Sequence, residues 1–211
     1  MLTAFTAGLL LITISELGDK TFFIAVILSM RHSRRLVLSA VIAALASMTL
    51  LSVLMGQAIS FLPKHYIHWA EIALFLGFGL KLIYDASQMP SQSQGTVIKE
   101  AAEAVDQIPQ SGNRLTKLLA RYPQIGIWLQ AFSMTFLAEW GDRTQISTIA
   151  LASSYNVIGV TTGAILGHGI CSVIAVIGGK LVAGRISERT ITFVGGILFL
   201  IFGVVAGIEG V

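Results

Sequence analysis

A seven-residue stretch occurs twice in this chain, and its recurrence restricts the fold more than any other feature. Ser15-Glu16-Leu17-Gly18-Asp19-Lys20-Thr21 returns as Ala138-Glu139-Trp140-Gly141-Asp142-Arg143-Thr144, 123 residues later. The same offset pairs Val37 with Val160, Ile42 with Ile165, Thr49 with Ser172, Val53 with Val176 and Gly56 with Gly179. With one extra residue it pairs Gly79 with Gly203 and Asp85 with Glu209. The chain therefore reads as two copies of one unit, and the number of membrane crossings in each copy decides how the copies face each other.

Apolar segments run over 1–30, 36–62, 67–86, 125–153, 157–184 and 191–208. A helical crossing takes about 20 residues, so each segment is long enough for one. Composition agrees. Hydrophobic residues make up 55% and charged residues 12% of 211 residues, and mean hydropathy is +0.80. A soluble core of this size cannot hide so much apolar sequence, whereas a bilayer can. The expected class is all-α integral membrane, with six transmembrane helices as two inverted three-helix repeats. Three is odd, so the second copy enters the membrane upside down, an architecture typical of secondary transporters. The expected layout is a first repeat over 1–86, a hydrophilic loop over 87–124 and a second repeat over 125–211.

The loops set the orientation. The first, third and fifth collect Arg31, Arg34, Arg35, Lys99, Arg114, Lys117, Arg121, Arg185 and Arg189, whereas the others hold only Lys64. Lys and Arg accumulate on the cytoplasmic side, so the central loop is expected there and both termini on the opposite side. The net charge of +3 is thus a topology signal and not a nucleic-acid surface. Residues 87–124 have the composition of a linker or a partly ordered loop outside the membrane; Leu115, Leu118 and Leu119 beside Arg114, Lys117 and Arg121 suit equally a short helix on the membrane surface and a basic end to an ordinary loop. Residues 1–14 lack a basic start and run into Glu16, so no cleaved leader is expected. The single cysteine, Cys171, excludes an intramolecular disulfide and a multi-cysteine metal site.

Glu16 and Asp19 are three residues apart, as are Glu139 and Asp142, which in a continuous helix puts each pair on one face. Each pair falls near the middle of its segment, at the expected depth of the bilayer midplane. A charged side chain there costs at least about 2.5–3.5 kcal/mol, so four without a purpose are improbable. Inverted symmetry can bring all four to one central site. Carboxylate oxygens suit Ca²⁺, Mn²⁺ or Mg²⁺, and the motifs hold no cysteine or histidine for zinc or copper. Gly18 and Gly141 allow either close helix approach or local unwinding. Thr21, Thr144, Ser15, Gln145 and Ser147 can add oxygens, or the hydroxyls can bond back to their own helix. Lys20 and Arg143 each follow a glutamate by four residues, which favours pairs with Glu16 and Glu139. Four carboxylates and two fixed cations leave a net charge of −2, which one divalent cation or two protons neutralise. Mutually exclusive binding of metal and protons is the elementary requirement of antiport.

Other residues carry less. His168 aligns with Leu45, breaks the symmetry, and is expected to be a packed, hydrogen-bonded core residue more than a proton relay. Gly163 and Gly167 form a small-xxx-small pattern for close helix packing. Glu71 lies just inside its segment on the non-cytoplasmic side, where it can serve cation entry or exit. Asp85 and Glu209 sit at helix ends, and Met134 reads as packing.

The two motifs, Glu16-Leu17-Gly18-Asp19-Lys20-Thr21 and Glu139-Trp140-Gly141-Asp142-Arg143-Thr144, resemble the doubled E-x-G-D-[KR]-[TS] signature of the GDT-one family, small manganese/calcium–proton exchangers of bacteria, chloroplasts and the Golgi. The resemblance covers essentially the whole chain. It implies that Glu16, Asp19, Glu139 and Asp142 bind the transported Mn²⁺ or Ca²⁺, with Gly18, Lys20, Thr21, Gly141, Arg143, Thr144 and Gln145 in support. No other cofactor is implied, and no enzymatic activity. The opening stretch is similar to the cyanobacterial and plastid branch, whose implied task is moving manganese out of the cytoplasm across a plasma or thylakoid membrane. Composition and spacing do not choose Mn²⁺ over Ca²⁺, and they leave the oligomeric state open, a homo-oligomer included. Two rivals remain. One is a passive divalent-cation channel, which needs no proton counterflow. The other is an intramembrane aspartyl protease built on Tyr84-Asp85 and Trp140-Gly141-Asp142, which leaves the first acidic motif without a role.

Overall fold

The computed structural model describes residues 1–89, 94–106, 123–178 and 187–209, and all regular structure among them is helical. The N-terminal part of the chain forms α1 (Leu2–Glu16), α2 (Lys20–Arg31), α3 (Arg34–Ile59) and α4 (Lys64–Gln88). After α5 (Gln94–Asp106) come α6 (Pro123–Ala138), α7 (Arg143–Ser154), α8 (Val157–Val173, continued by a π-helical turn over Ile174–Gly178) and α9 (Glu188–Glu209). Among the described residues, four helices are long and apolar enough to cross a membrane: Arg34–Ile59, Lys64–Gln88, Val157–Gly178 and Arg189–Ile208.

The two motif-bearing segments differ from a simple crossing. Each is broken into two helices at its motif, α1/α2 at Leu17–Asp19 and α6/α7 at 139–142. At 1.5 Å per residue, α1 and α2 rise only about 22 and 18 Å, so neither covers the roughly 30 Å of hydrocarbon alone, while the pair does. The break arises from glycine. Gly18 has φ +79° and Gly141 φ +82°, a left-handed conformation that no other residue type adopts among the described ones. With a Cβ this conformation costs roughly 1–2 kcal/mol, so the chain turns where glycine allows it.

Packing couples the halves. α1 lies along α8, α4 along α9, and α3 touches α6, α7 and α8. At the α1–α8 contact, small residues let the backbones meet. A Cβ on Gly8 would sit 3.0 Å from the Val160 carbonyl oxygen, and one on Gly163 would overlap that of Phe5. Dispersion between closely apposed backbones replaces the hydrophobic drive that lipid does not supply. The α4–α9 contact is reciprocal: Gly79 receives Leu200, and Gly203 receives Leu76, a Cβ on either glycine lying 2.7 Å from the leucine. Phe75, Phe78, Phe199 and Phe202 fill the centre of that pair, with ring centroids 5.8–6.3 Å apart.

The central loop carries a helix near its start. α5 places Ala101 and Val105 in the core cluster that contains α2, and the Arg31 guanidinium meets the Asp106 carboxylate at 2.6 Å. Ile98, Ala101 and Val105 recur at helical spacing, so this stretch buries an apolar stripe. The stretch from Arg114 to Arg121 lies outside the described residues, as does the Glu209 side chain.

Candidate functional site

Two chain breaks at the centre of the molecule bring carboxylates and helix ends together. α1 and α6 stop at their motifs, which leaves their last backbone carbonyls without intrahelical partners. Some find local ones: the Asp19 N–H donates to the Glu16 carbonyl at 3.2 Å, and the Asp142 N–H to that of Glu139 at 3.1 Å. The Cys171 thiol donates to the Thr13 carbonyl at 3.2 Å and so ties α8 to the end of α1. The carbonyl ends of helices carry partial negative charge, and together with the acids they make the region attractive to a cation.

Glu16 and Glu139 are buried, at 2% and 1% exposure. Oxygens of Glu16, Glu139 and Asp142 lie within 4.8 Å of one another, close to the separation of two ligands on opposite sides of one divalent ion at about 2.4 Å each. Glu16 Oε1 and Glu139 Oε1 are buried without hydrogen-bond partners. Their second oxygens accept from threonines in matching fashion, Thr21 Oγ1 to Glu16 and Thr144 Oγ1 to Glu139, both at 3.2 Å. Asp19 and Asp142 stand at the N-caps of α2 and α7, yet neither side chain caps its helix. Their carboxylates turn toward Arg143 instead, and Asp142 also accepts from Thr144 Oγ1 at 3.4 Å.

Three features differ from the expectations drawn from spacing. Because each helix breaks inside its motif, the acids are presented from two helix ends and not from one helical face. Arg143 does not pair with Glu139. It reaches Asp19 of the other repeat at 3.5 Å and its own neighbour Asp142 at 3.8 Å, because the break swings its Cα away from the preceding turn. Among the described residues Lys20 has no ion pair with Glu16. The cluster of close oxygens thus comprises three acids, and Asp19 joins it through Arg143.

The supporting polar residues divide. Ser147 bonds back to the Arg143 carbonyl at 2.6 Å. Gln145 accepts from the Gly141 N–H at 2.7 Å and donates to Met48 Sδ at 3.1 Å, fixing the second break from within. Ser15 Oγ is buried without a partner. Met134 packs against the core. His168 is buried, but its Nδ1 lacks a hydrogen-bond partner and faces Glu16 Oε1 at 3.8 Å. Met48 was missed in the sequence, although the offset pairs it with Cys171 and so puts a sulfur at the same place in each repeat.

A cavity of about 280 Å³ adjoins the site, lined by Ser15, Asp19, Phe78, Asp85, Arg143 and Thr192 among others. It lies between the end of α4 and the start of α9, so Asp85, expected only as a solvated helix end, stands at its wall. Gly195 also lines it. The α4 residue equivalent to Gly195 in the repeat is Glu71, which is buried at 2% exposure.

Comparison with known proteins gives consistent results. A family model described as "Divalent cation/proton antiporter GDT1" matches residues 4–90 and 127–211. A GDT1-like protein of Synechocystis sp. is 59% identical over 206 residues, covering 98% of this chain and 97% of that one. GDT1-like protein 3 of Oryza sativa subsp. indica is 44% identical, covering 95% and 72%. The chloroplastic PAM71-homolog protein of Arabidopsis thaliana is 39% identical, covering 95% and 58%. No solved structure matches the chain.

Proposed function

The chain belongs to the GDT1 family of divalent cation/proton antiporters, and on that premise we propose that it exports a divalent cation, Mn²⁺ in preference to Ca²⁺, from the cytoplasm in exchange for protons. It is a multi-pass membrane protein and a transporter, not an enzyme. The observation that carries the reading is the convergence of Glu16, Glu139 and Asp142 oxygens within 4.8 Å at two helix breaks. Glu16, Asp19, Glu139 and Asp142 form the binding set, and Lys20 and Arg143 hold its net charge at −2. One divalent ion, or two protons on the carboxylates, then neutralises the pocket. A low-dielectric site disfavours leaving it empty and charged, so the protein changes conformation loaded with one or the other.

The six-crossing inverted repeat is part of the proposal. Its support is the matching geometry of the two halves: equal glycine torsions, equal threonine–carboxylate distances and reciprocal α4–α9 packing. The excess of Lys and Arg in the first, third and fifth loops puts the central loop in the cytoplasm and both termini across the membrane. In that orientation the 280 Å³ cavity opens toward the cytoplasm and leads to Asp19 and Arg143. Glu71 holds the equivalent position in the repeat and is buried, which supports reading this as an inward-open state. Rocking of the α4–α9 pair about its aromatic centre exchanges the two openings. The relatives in a cyanobacterium and a chloroplast favour a plasma or thylakoid membrane.

Purified protein in liposomes tests the reading. Mn²⁺ movement is expected to follow an imposed pH gradient and to move protons the other way, and Glu16→Gln or Glu139→Gln to abolish both. Metal flux indifferent to the gradient would point to the passive channel. Exchange that survives neutralisation of either glutamate would overturn the site.

A further inference from the structure

Resting on the reading of the acidic cluster as the transport site, we propose that His168 Nδ1 is a direct ligand of the transported ion and the residue that selects a first-row transition metal over calcium. Four observations lead there. His168 Nδ1 and Glu16 Oε1 are both buried, both without hydrogen-bond partners, and face each other at 3.8 Å. That distance is too long for a hydrogen bond. It is short enough for one ion to bind both, since two donors at about 2.2 Å from a metal can stand up to about 4.4 Å apart. The Glu16 carboxylate also meets Glu139 and Asp142, so an ion held between His168 and Glu16 borders that acidic cluster.

Second, close helix packing fixes the backbone that carries the ring. The neighbouring Gly167 lets α8 close on α1, where a Cβ would lie 3.0 Å from Thr13 Oγ1 and 3.1 Å from the Leu9 carbonyl oxygen. Third, the Cys171 thiol, one turn on, binds the Thr13 carbonyl at 3.2 Å. α8 is thereby fixed against the end of α1, next to Glu16. Fourth, the offset of 123 residues puts Leu45 at the equivalent position, so a nitrogen donor stands beside the carboxylates from one side only. Ca²⁺ takes oxygen ligands, whereas first-row transition ions also accept imidazole. An all-oxygen pocket separates Mn²⁺ from Ca²⁺ weakly; one nitrogen shifts the balance toward Mn²⁺.

Pulsed electron paramagnetic resonance on Mn²⁺-loaded wild-type protein is expected to show ¹⁴N hyperfine coupling, lost in His168→Asn and in His168→Leu. Competition transport in liposomes is expected to show the Mn²⁺-over-Ca²⁺ preference falling by about tenfold or more in His168→Asn, with Ca²⁺ exchange retained. If wild-type protein binds Mn²⁺ in a Glu16→Gln-sensitive manner but without nitrogen coupling, the proposal for His168 is wrong and the carboxylate site stands. An unchanged metal preference in His168→Asn overturns it equally. If Mn²⁺ binding ignores Glu16→Gln and Glu139→Gln, the underlying site reading fails instead. The wild-type spectrum decides the point even if a variant does not fold.

Discussion

Replacing Gly141 with alanine isolates the energetic role of the helix break. Gly141 has φ +82°, and a Cβ built there meets nothing within 4 Å. The substitution therefore adds no steric overlap and leaves only the left-handed torsion to be sustained, a cost of roughly 1–2 kcal/mol. For a chain of this length that lowers the unfolding midpoint by about 2–8 °C. Gly77, in the middle of α4, also has open space around its Cβ but takes an ordinary helical conformation. There Gly→Ala is expected to raise the midpoint, by up to about 1 kcal/mol of helix propensity. Gly141→Asn should fall between wild type and Gly141→Ala, since asparagine tolerates this torsion better than other side chains do. Thermal unfolding in mild detergent reads all three. Transport should suffer more than stability in Gly141→Ala, because relieving the strain extends the helix and returns Glu139 and Asp142 to a single face. A Gly141→Ala midpoint at or above that of wild type refutes the account, as does a change of the same sign and size as that of Gly77→Ala.

Arg143→Ala removes the guanidinium that joins Asp19 to Asp142 and takes the site from −2 to −3; we expect tighter Mn²⁺ binding with slower turnover, and a smaller change for Lys20→Ala, measured as separate effects on KM and kcat. In a Cys171→Ala background, Gly195→Cys should react with a membrane-impermeant thiol reagent applied to the cytoplasmic face, and Glu71→Cys should stay unreactive from either face until an opposing ion gradient drives turnover. Equal labelling of both without a gradient would contradict the inward-open assignment. Gly163→Ala forces a Cβ onto the Phe5 carbonyl, so folded yield should collapse, whereas Gly169→Ala, with nothing within 4 Å, should express normally.

Much of this protein could be read from its amino acids because the relevant physics is local or additive. Hydropathy summed over twenty residues is enough to assign a chain to the bilayer. A repeat is visible at a fixed offset whatever the fold, and an acid inside an apolar run is costly wherever the run packs. The membrane class, the duplicated motif and the four buried-segment acids all follow from such local terms, and the comparisons place the chain in an antiporter family. The position of the helix breaks was only half legible. A glycine between two acids reads the same in a continuous helix as at a left-handed turn, and only its φ in the folded chain separates the two.

What tertiary structure alone decided is who meets whom across 123 residues of chain. Arg143 looks like the partner of Glu139 by spacing, yet the break redirects it to Asp19 of the other repeat. His168 looks like ordinary core, yet close backbone packing of α8 on α1 sets its unpaired nitrogen against Glu16. α5 lies in a stretch of linker composition, but α2 offers a surface on which Ala101 and Val105 become buried. In each case the sequence specifies a side chain's chemistry, while its partner is chosen by the approach of a distant helix, a quantity that no local pattern encodes.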